Sequence, residues 1–242
     1  MKINKSFLLL IFSFLLPSSI LAEDLYIKSY GHSNFLIEGD GKSIILNPYK
    51  SVGCASNLKK AKLSGADFIL ASSRLADEGY NPSNSLMFVD PGSYKYNEIL
   101  FQGVHIAHDR FGGRRFGMAT VWTWRQSNLK IVHMTGAAGK INFKDKILLS
   151  KPDILFISIG GGDKSYNSSE AIEIIKELQP KIIIPAHFLP SNKLPDNCKF
   201  TSSDLFLKNI KGFKIKNLRN SLKINSNKIS DKTIYILSLI HI

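Results

Sequence analysis

Acidic side chains are in short supply in this chain. Its 242 residues carry 19 Asp and Glu against 32 Lys and Arg, a formal net charge of +13. The shortage is uneven: residues 191–232 hold ten Lys and Arg against three Asp, +7 in that stretch alone. A basic surface suits nucleic acid, anionic lipid or an acidic small molecule. The same stretch is also heavy in Asn and Ile, so compositional drift accounts for most of its charge. A small-molecule or anionic ligand is therefore expected, and nucleic acid is not. Cysteine is almost missing as well. Cys54 and Cys198 are the two present, which leaves one disulfide or two free thiols. Beyond the first 22 residues no apolar run is long enough for a transmembrane helix. No cofactor fingerprint stands out either. Gly160-Gly161-Gly162 lacks the GxGxxG spacing and the GK[ST] ending of a phosphate loop.

Hydrophobic residues make up 44% of the chain and charged ones 21%, the balance of one globular domain with a sizeable core. Its two ends are set apart. Lys2 and Lys5, the apolar run Phe7 to Leu16, and the small residues Ser18, Ser19 and Ala22 have the layout of a secretory signal peptide over residues 1–22. Cleavage is expected after Ala22, with export to the periplasm or an equivalent compartment. The last six residues, LSLIHI (237–242), match the translation of a sequencing-adaptor end, so His241 is not counted as a ligand. Between the ends, residues 23–190 form the expected domain, and the basic segment 191–236 is expected to complete it.

The elements follow from periodicity. Leu25 to Ser29 reads as a strand, and Asn34–Glu38 and Ser43–Leu46 as a hairpin across Gly39-Asp40-Gly41-Lys42. Phe68–Ala71, Leu86–Val89 and Leu100–Ala107 are further strands, and Thr120–Arg125 with Leu129–His133 forms a second hairpin. Asp153–Ser158 is an apolar strand. Asn167–Gln179 is the clearest helix, with Ala171, Ile174, Ile175 and Leu178 on one face and Pro180 after its end. Lys181–Pro185 reads as the last core strand. Hairpin, loop and ADFIL in the first half echo hairpin, loop and PDILF in the second, which suggests two like units face to face.

The stretch with most chemistry is ADFILASSRLADEGY (66–80), a buried strand followed by a turn that reads as leading into a helix. Ligands and catalysts collect at the carboxyl ends of strands in α/β proteins. GHSNFLIEGDGKSIILNP, GADFILASS, KIVHMTGAAG, PDILFISIGG and PKIIIPAHF occur in that order, and together they resemble the metallo-β-lactamase superfamily. The branch that looks closest is the L-ascorbate-6-phosphate lactonase-like hydrolases. The resemblance implies a four-layer αββα sandwich of the α/β class, with a metal site at the edge where the sheets meet.

Carried over position by position, the resemblance implies that most of that site is gone. In the family's THxHxDH pattern Ser72 stands for Thr, Ser73 and Leu75 for two His, Asp77 for Asp and Glu78 for the last His. His108 matches a later His and His187 the final one. The bridging carboxylate expected near Thr135-Gly136-Ala137 is absent, and the Asp expected before Pro48 is Asn47. A catalytic zinc needs about three protein ligands and a water. At most Asp77, His108 and His187 could hold one zinc or other divalent ion. Ser73, Asp77, Glu78, His108 and His187 are thus read as a remnant site, expected to converge. His32 and His133 are read as packing residues. Arg74, Arg110, Arg114 and Arg115 are candidates for anion binding, and an Arg is expected to replace the metal by pairing with Asp77 or Glu78. Three readings follow: a non-catalytic protein binding a ligand or partner, a one-metal hydrolase of a lactone, ester or phosphoester, and a polyanion binder.

Overall fold

A computed structural model of the chain describes residues 24–58, 65–189 and 198–237; the expected signal peptide and residues 238–242 lie outside them. Two mixed sheets pack face to face. The smaller has six strands: β1 (Asp24–Gly31), β2 (Asn34–Gly39), β3 (Lys42–Leu46), β4 (Phe68–Leu70), β5 (Met87–Phe88) and β13 (Ser221–Asn225), in the order β13-β1-β2-β3-β4-β5. The larger contains β6 (Gly92–Tyr96), β7 (Ile99–Ala107), β8 (Met118–Gln126), β9 (Leu129–Met134), β10 (Ile154–Ser158), β11 (Ile182–Ala186), β12 (Lys214–Leu218) and β14 (Thr233–Leu237). Its order is β12-β14-β11-β10-β9-β8-β7-β6.

Alternation along the strands places one face of each sheet in a shared core. Leu25, Ile27, Phe35, Ile37, Ile44, Phe68 and Leu70 meet Phe101, Trp122, Ile131, Ile154, Phe156 and Ile184 there. A second core lies on the other face of the larger sheet, under α1 (Phe143–Leu149), α2 (Ser168–Leu178) and α3 (Asp204–Asn209). The outer cluster of the smaller sheet, built on Ile45, Ile69, Ala71 and Val89, contains no residue of these helices. Helix α2 starts on a capping box: the Asn167 side chain accepts from the Ser169 and Glu170 backbone N–H, and Glu170 accepts from the Asn167 N–H.

The internal echo is a structural repeat. From β1 to β5 successive pairings run antiparallel, antiparallel, parallel, parallel. From β7 to β11 they run in the same sequence. Strands β4 and β10 are therefore equivalent. Only β10 is central in its sheet, however; β4 has just the two-residue β5 beyond it.

Other expectations need correction. Ile182–Ala186 is not the last core strand, because β14 pairs parallel to it and buries Thr233, Ile234, Ile236 and Leu237. Leu237, grouped with the terminal artefact in the sequence reading, is part of that core. Residues 75–79 form one turn and no helix. The Glu78 and Gly79 N–H both donate to the Leu75 carbonyl, but the turn's other groups cross to the facing loop: Lys50 N–H donates to Ala76 O and Tyr80 N–H to Pro48 O. Cys54 and Cys198 are joined in a disulfide.

Candidate functional site

At the edge where the two sheets meet, loops from carboxyl strand ends surround a hollow of about 280 Å³. Asp77 and Glu78 come from the loop after β4, Lys164 from the loop after β10, and His187 from the residue after β11. His32 enters from the β1–β2 turn. Phe116 and Phe200 are apolar walls. His108, the residue after β7, sits behind the hollow with its Nε2 3.2 Å from Oε2 of Glu78. Ser73 donates to the same Glu78 oxygen at 3.2 Å and accepts from the Leu75 N–H, which closes the turn. Ser73, Asp77, Glu78, His108 and His187 are thus brought together.

Glu78 is buried, and it lies where residue 136 has no side chain. A Cβ built on Gly136 would stand 2.7 Å from Glu78 Oε2 and 2.7 Å from Ser72 Cβ. The carboxylate that the resemblance would place at 136 is missing, and a carboxylate from 78 fills that space. A second close approach explains Gly160. A Cβ there would meet the His187 carbonyl at 2.0 Å, so the first glycine of the GGG run admits the His187 turn rather than cradling an anion. His32 and His187 both hold left-handed backbone, at φ 57° and 49°. Such strain concentrates at functional sites.

The imidazoles are individually oriented. His187 donates from Nδ1 to the Thr135 carbonyl at 3.1 Å, and His108 from Nδ1 to the Lys164 carbonyl at 3.0 Å. Each therefore turns Nε2 inward. Nε2 of His32 and of His187 and Oε1 of Glu78 are buried with no hydrogen-bond partner among the described residues. Burial pushes the Glu78 carboxyl up, but the His108 imidazolium, by its charge and then by its hydrogen bond, more than reverses this and holds it well below the carboxylate range. Burial pulls His108 down, and Glu78 outweighs it, so His108 titrates above an ordinary imidazole. The two form a charged pair. Burial keeps His32 at about 4 and His133 at about 3, and lowers His187, which also feels His32. These three are neutral at pH 7.

The cation at the site is a lysine. Lys164 Nζ donates to Asp77 Oδ2 and closes an ion pair at the floor of the hollow. The expected arginine is elsewhere. Arg74 pairs with Asp90 on the exposed surface at 2.7 Å. Arg110 grips Glu170 at 2.6 and 2.7 Å and donates to the Gly162 and Ser165 carbonyls, tying its loop to α2. Arg114 donates to Phe111 O within its own loop, and Arg115 lies 3.7 Å from Asp163. Asp109 organises that loop by accepting from four backbone N–H groups, of Phe111, Gly113, Arg115 and Phe116. Burial pushes its carboxyl up, and those four donors hold it at about 2.

These side chains do not fit a metal centre as arranged. Among the described residues no three His, Cys, Asp or Glu side chains are grouped to hold an ion. Asp77 faces an ammonium, Glu78 is engaged with His108, and the Leu75 side chain has no atom that can ligate. His133 packs in the interior 3.5 Å from Ser72 Oγ, and Asn47 bonds Ser72 and Thr135 through its amide. Sequence reasoning missed Lys164, Phe116 and Phe200 and set His32 aside. The one available signal was Lys164's place in the loop after an apolar strand.

Two mixed sheets packed face to face, with helices over the larger one and a hollow at their common edge, match the metallo-β-lactamase α/β sandwich. Residues 26–187 match the family described as the beta-lactamase superfamily domain, and the chain belongs to that family. A protein of Thermotoga maritima described as a zinc-dependent hydrolase of the metallo-β-lactamase superfamily is similar in structure, with a TM-score of 0.69 and 20% identity, over 89% of this chain and 99% of that one. The isothiocyanate hydrolase from Delia radicum gut bacteria aligns with a TM-score of 0.58 and 11% identity, over 87% and 95%. The metallo-β-lactamase fold protein YhfI of Bacillus subtilis gives 0.56 and 10%, over 90% and 97%. At these identities the likeness is one of fold. No curated protein matches the chain.

Proposed function

We propose that the protein is an exported, non-catalytic member of its family that uses the edge hollow to bind a small ligand. The observation that carries this reading is the Lys164–Asp77 pair, an internal cation on the one acidic residue that the resemblance retains in the motif loop. Two supports stand beside it. Leu75 and Ser73 occupy positions that the family resemblance gives to His, and the Glu78 carboxylate fills the gap beside Gly136 while pairing with His108. A divalent ion would have to displace the ammonium and break that buried pair, at a cost of several kcal/mol. Descent from the L-ascorbate-6-phosphate lactonase-like branch, read from the order of the motifs, is part of the proposal.

Elemental analysis with zinc titration tests it. The expected outcome is less than stoichiometric zinc and no turnover of lactone or β-lactam substrates. One equivalent of tightly held zinc, lost on His187→Ala, would overturn it in favour of a one-metal hydrolase of a lactone, ester or phosphoester. That second reading is kept for a specific reason. Both His108 and His187 anchor Nδ1 on a backbone carbonyl and turn Nε2 inward, as metal-binding imidazoles do.

A further inference from the structure

Lys164 and Lys199 line the hollow beside Asp77, Glu78 and Asp163, and Glu78 is paired with His108 behind it. Asp163 is shared, with Lys199 Nζ 3.1 Å and Arg115 3.7 Å from its Oδ2. An ammonium has three N–H groups, and Lys164 gives one to Asp77. Its side chain is 26% exposed and lines the hollow, with Nζ 5.8 Å from the centre of the Phe116 ring. A second ring, Phe200, stacks on His187 with centroids 5.3 Å apart. Apolar rings beside an ammonium strengthen any charge-assisted hydrogen bond made there.

We propose that the hollow binds a small organic monocarboxylate, its carboxylate on the free N–H groups of Lys164 and its apolar body against Phe116 and Phe200. The inference rests on the binding reading above and names the ligand class. A monoanion suits the site better than a dianion, because a second negative charge would face Asp77 and Asp163. The aromatic walls select an apolar body over a hydrated inorganic anion.

Calorimetric titration of the full chain with benzoate, acetate and inorganic phosphate tests the assignment. Benzoate is expected to bind most tightly, with acetate weaker by about tenfold or more for want of wall contact. Lys164→Met should weaken benzoate by about tenfold or more, the loss of one charge-assisted hydrogen bond. Asp77→Asn should tighten it, because it frees the ammonium; a merely structural role for the pair predicts no such gain. Phosphate binding more tightly than benzoate, benzoate affinity untouched by Lys164→Met, or no benzoate binding at millimolar concentration would each overturn the proposal. If Lys164→Met fails to fold, Asp77→Asn decides alone, and unchanged or weaker binding rejects it. Zinc analysis of the same preparation separates the two readings. Stoichiometric zinc with turnover sinks the non-catalytic one, and the monocarboxylate site still stands or falls on the benzoate arms.

Discussion

Burying an imidazole at the sandwich edge ties the stability of the fold to pH. His32 and His133 titrate near 6.5 when unfolded, and burial lowers them to about 4 and about 3 in the native state. Between those values the unfolded chain binds more protons than the folded one, so stability falls as pH falls. The loss begins near pH 6.5 and continues to about 4 for His32 and about 3 for His133, at roughly 1.4 kcal/mol per pH unit for each group. Denaturant midpoints measured from pH 7.5 to pH 4 are expected to drop accordingly. His133→Gln should lower the slope by about one proton; an unchanged slope would mean that His133 is not held neutral. At this scale the motif order named Asp77, Glu78, His108 and His187, and the structure brings those four together. It missed Lys164, because nothing local to residues 160–166 signals a partner in the loop after β4.

At the scale of elements, the repeat carries its own fastening. In the first unit Asp67 accepts from the Ser43 N–H at 2.8 Å, and Ser43 O accepts from the Asp67 N–H at 2.9 Å. In the second unit Asp153 and Lys130 repeat the exchange, at 2.8 and 2.8 Å. The Asp of ADFIL and of PDILF is therefore a clamp that pins each crossing strand to the preceding hairpin. Asp67→Ala and Asp153→Ala should each cost about 1–2 kcal/mol in chemical denaturation. The Asn variants should cost less, because an amide oxygen still accepts; equal losses for Asn and Ala would put the effect in the Lys42–Asp67 and Lys181–Asp153 ion pairs instead. The hairpins and α2 were legible because turn residues and helical spacing are local signals. Strand β6 was not, its GSYKY having exposed or half-buried side chains, and β14 was hidden in a stretch biased to Lys, Asn and Ile.

At the scale of the molecule, the Cys54–Cys198 bond spans 144 residues and joins two rims of the hollow. Closing so long a loop removes much of the unfolded chain's freedom. Reduction, or the double variant Cys54→Ala/Cys198→Ala, should lower unfolding free energy by about 2–5 kcal/mol, read as a shift in denaturant midpoint. No shift would indicate free thiols in the purified protein. Phe200, two residues past Cys198, stacks on His187, so the same bond holds an aromatic wall in place.

The sequence by itself determined the two hairpin-and-strand units, the core faces of their strands, the α2 helix and the edge at which polar loops gather. Each is written in a period of two or 3.6, or in a turn residue, and needs no distant partner to be read. Tertiary structure alone decided the electrostatics of the hollow. Lys164 and Asp77 are 87 residues apart and meet only because β4 and β10 occupy equivalent places in facing sheets. Whether Glu78 could take the space beside Gly136, and whether an arginine or a lysine reached Asp77, depended on packing distances of a few ångströms between loops that no spacing along the chain encodes.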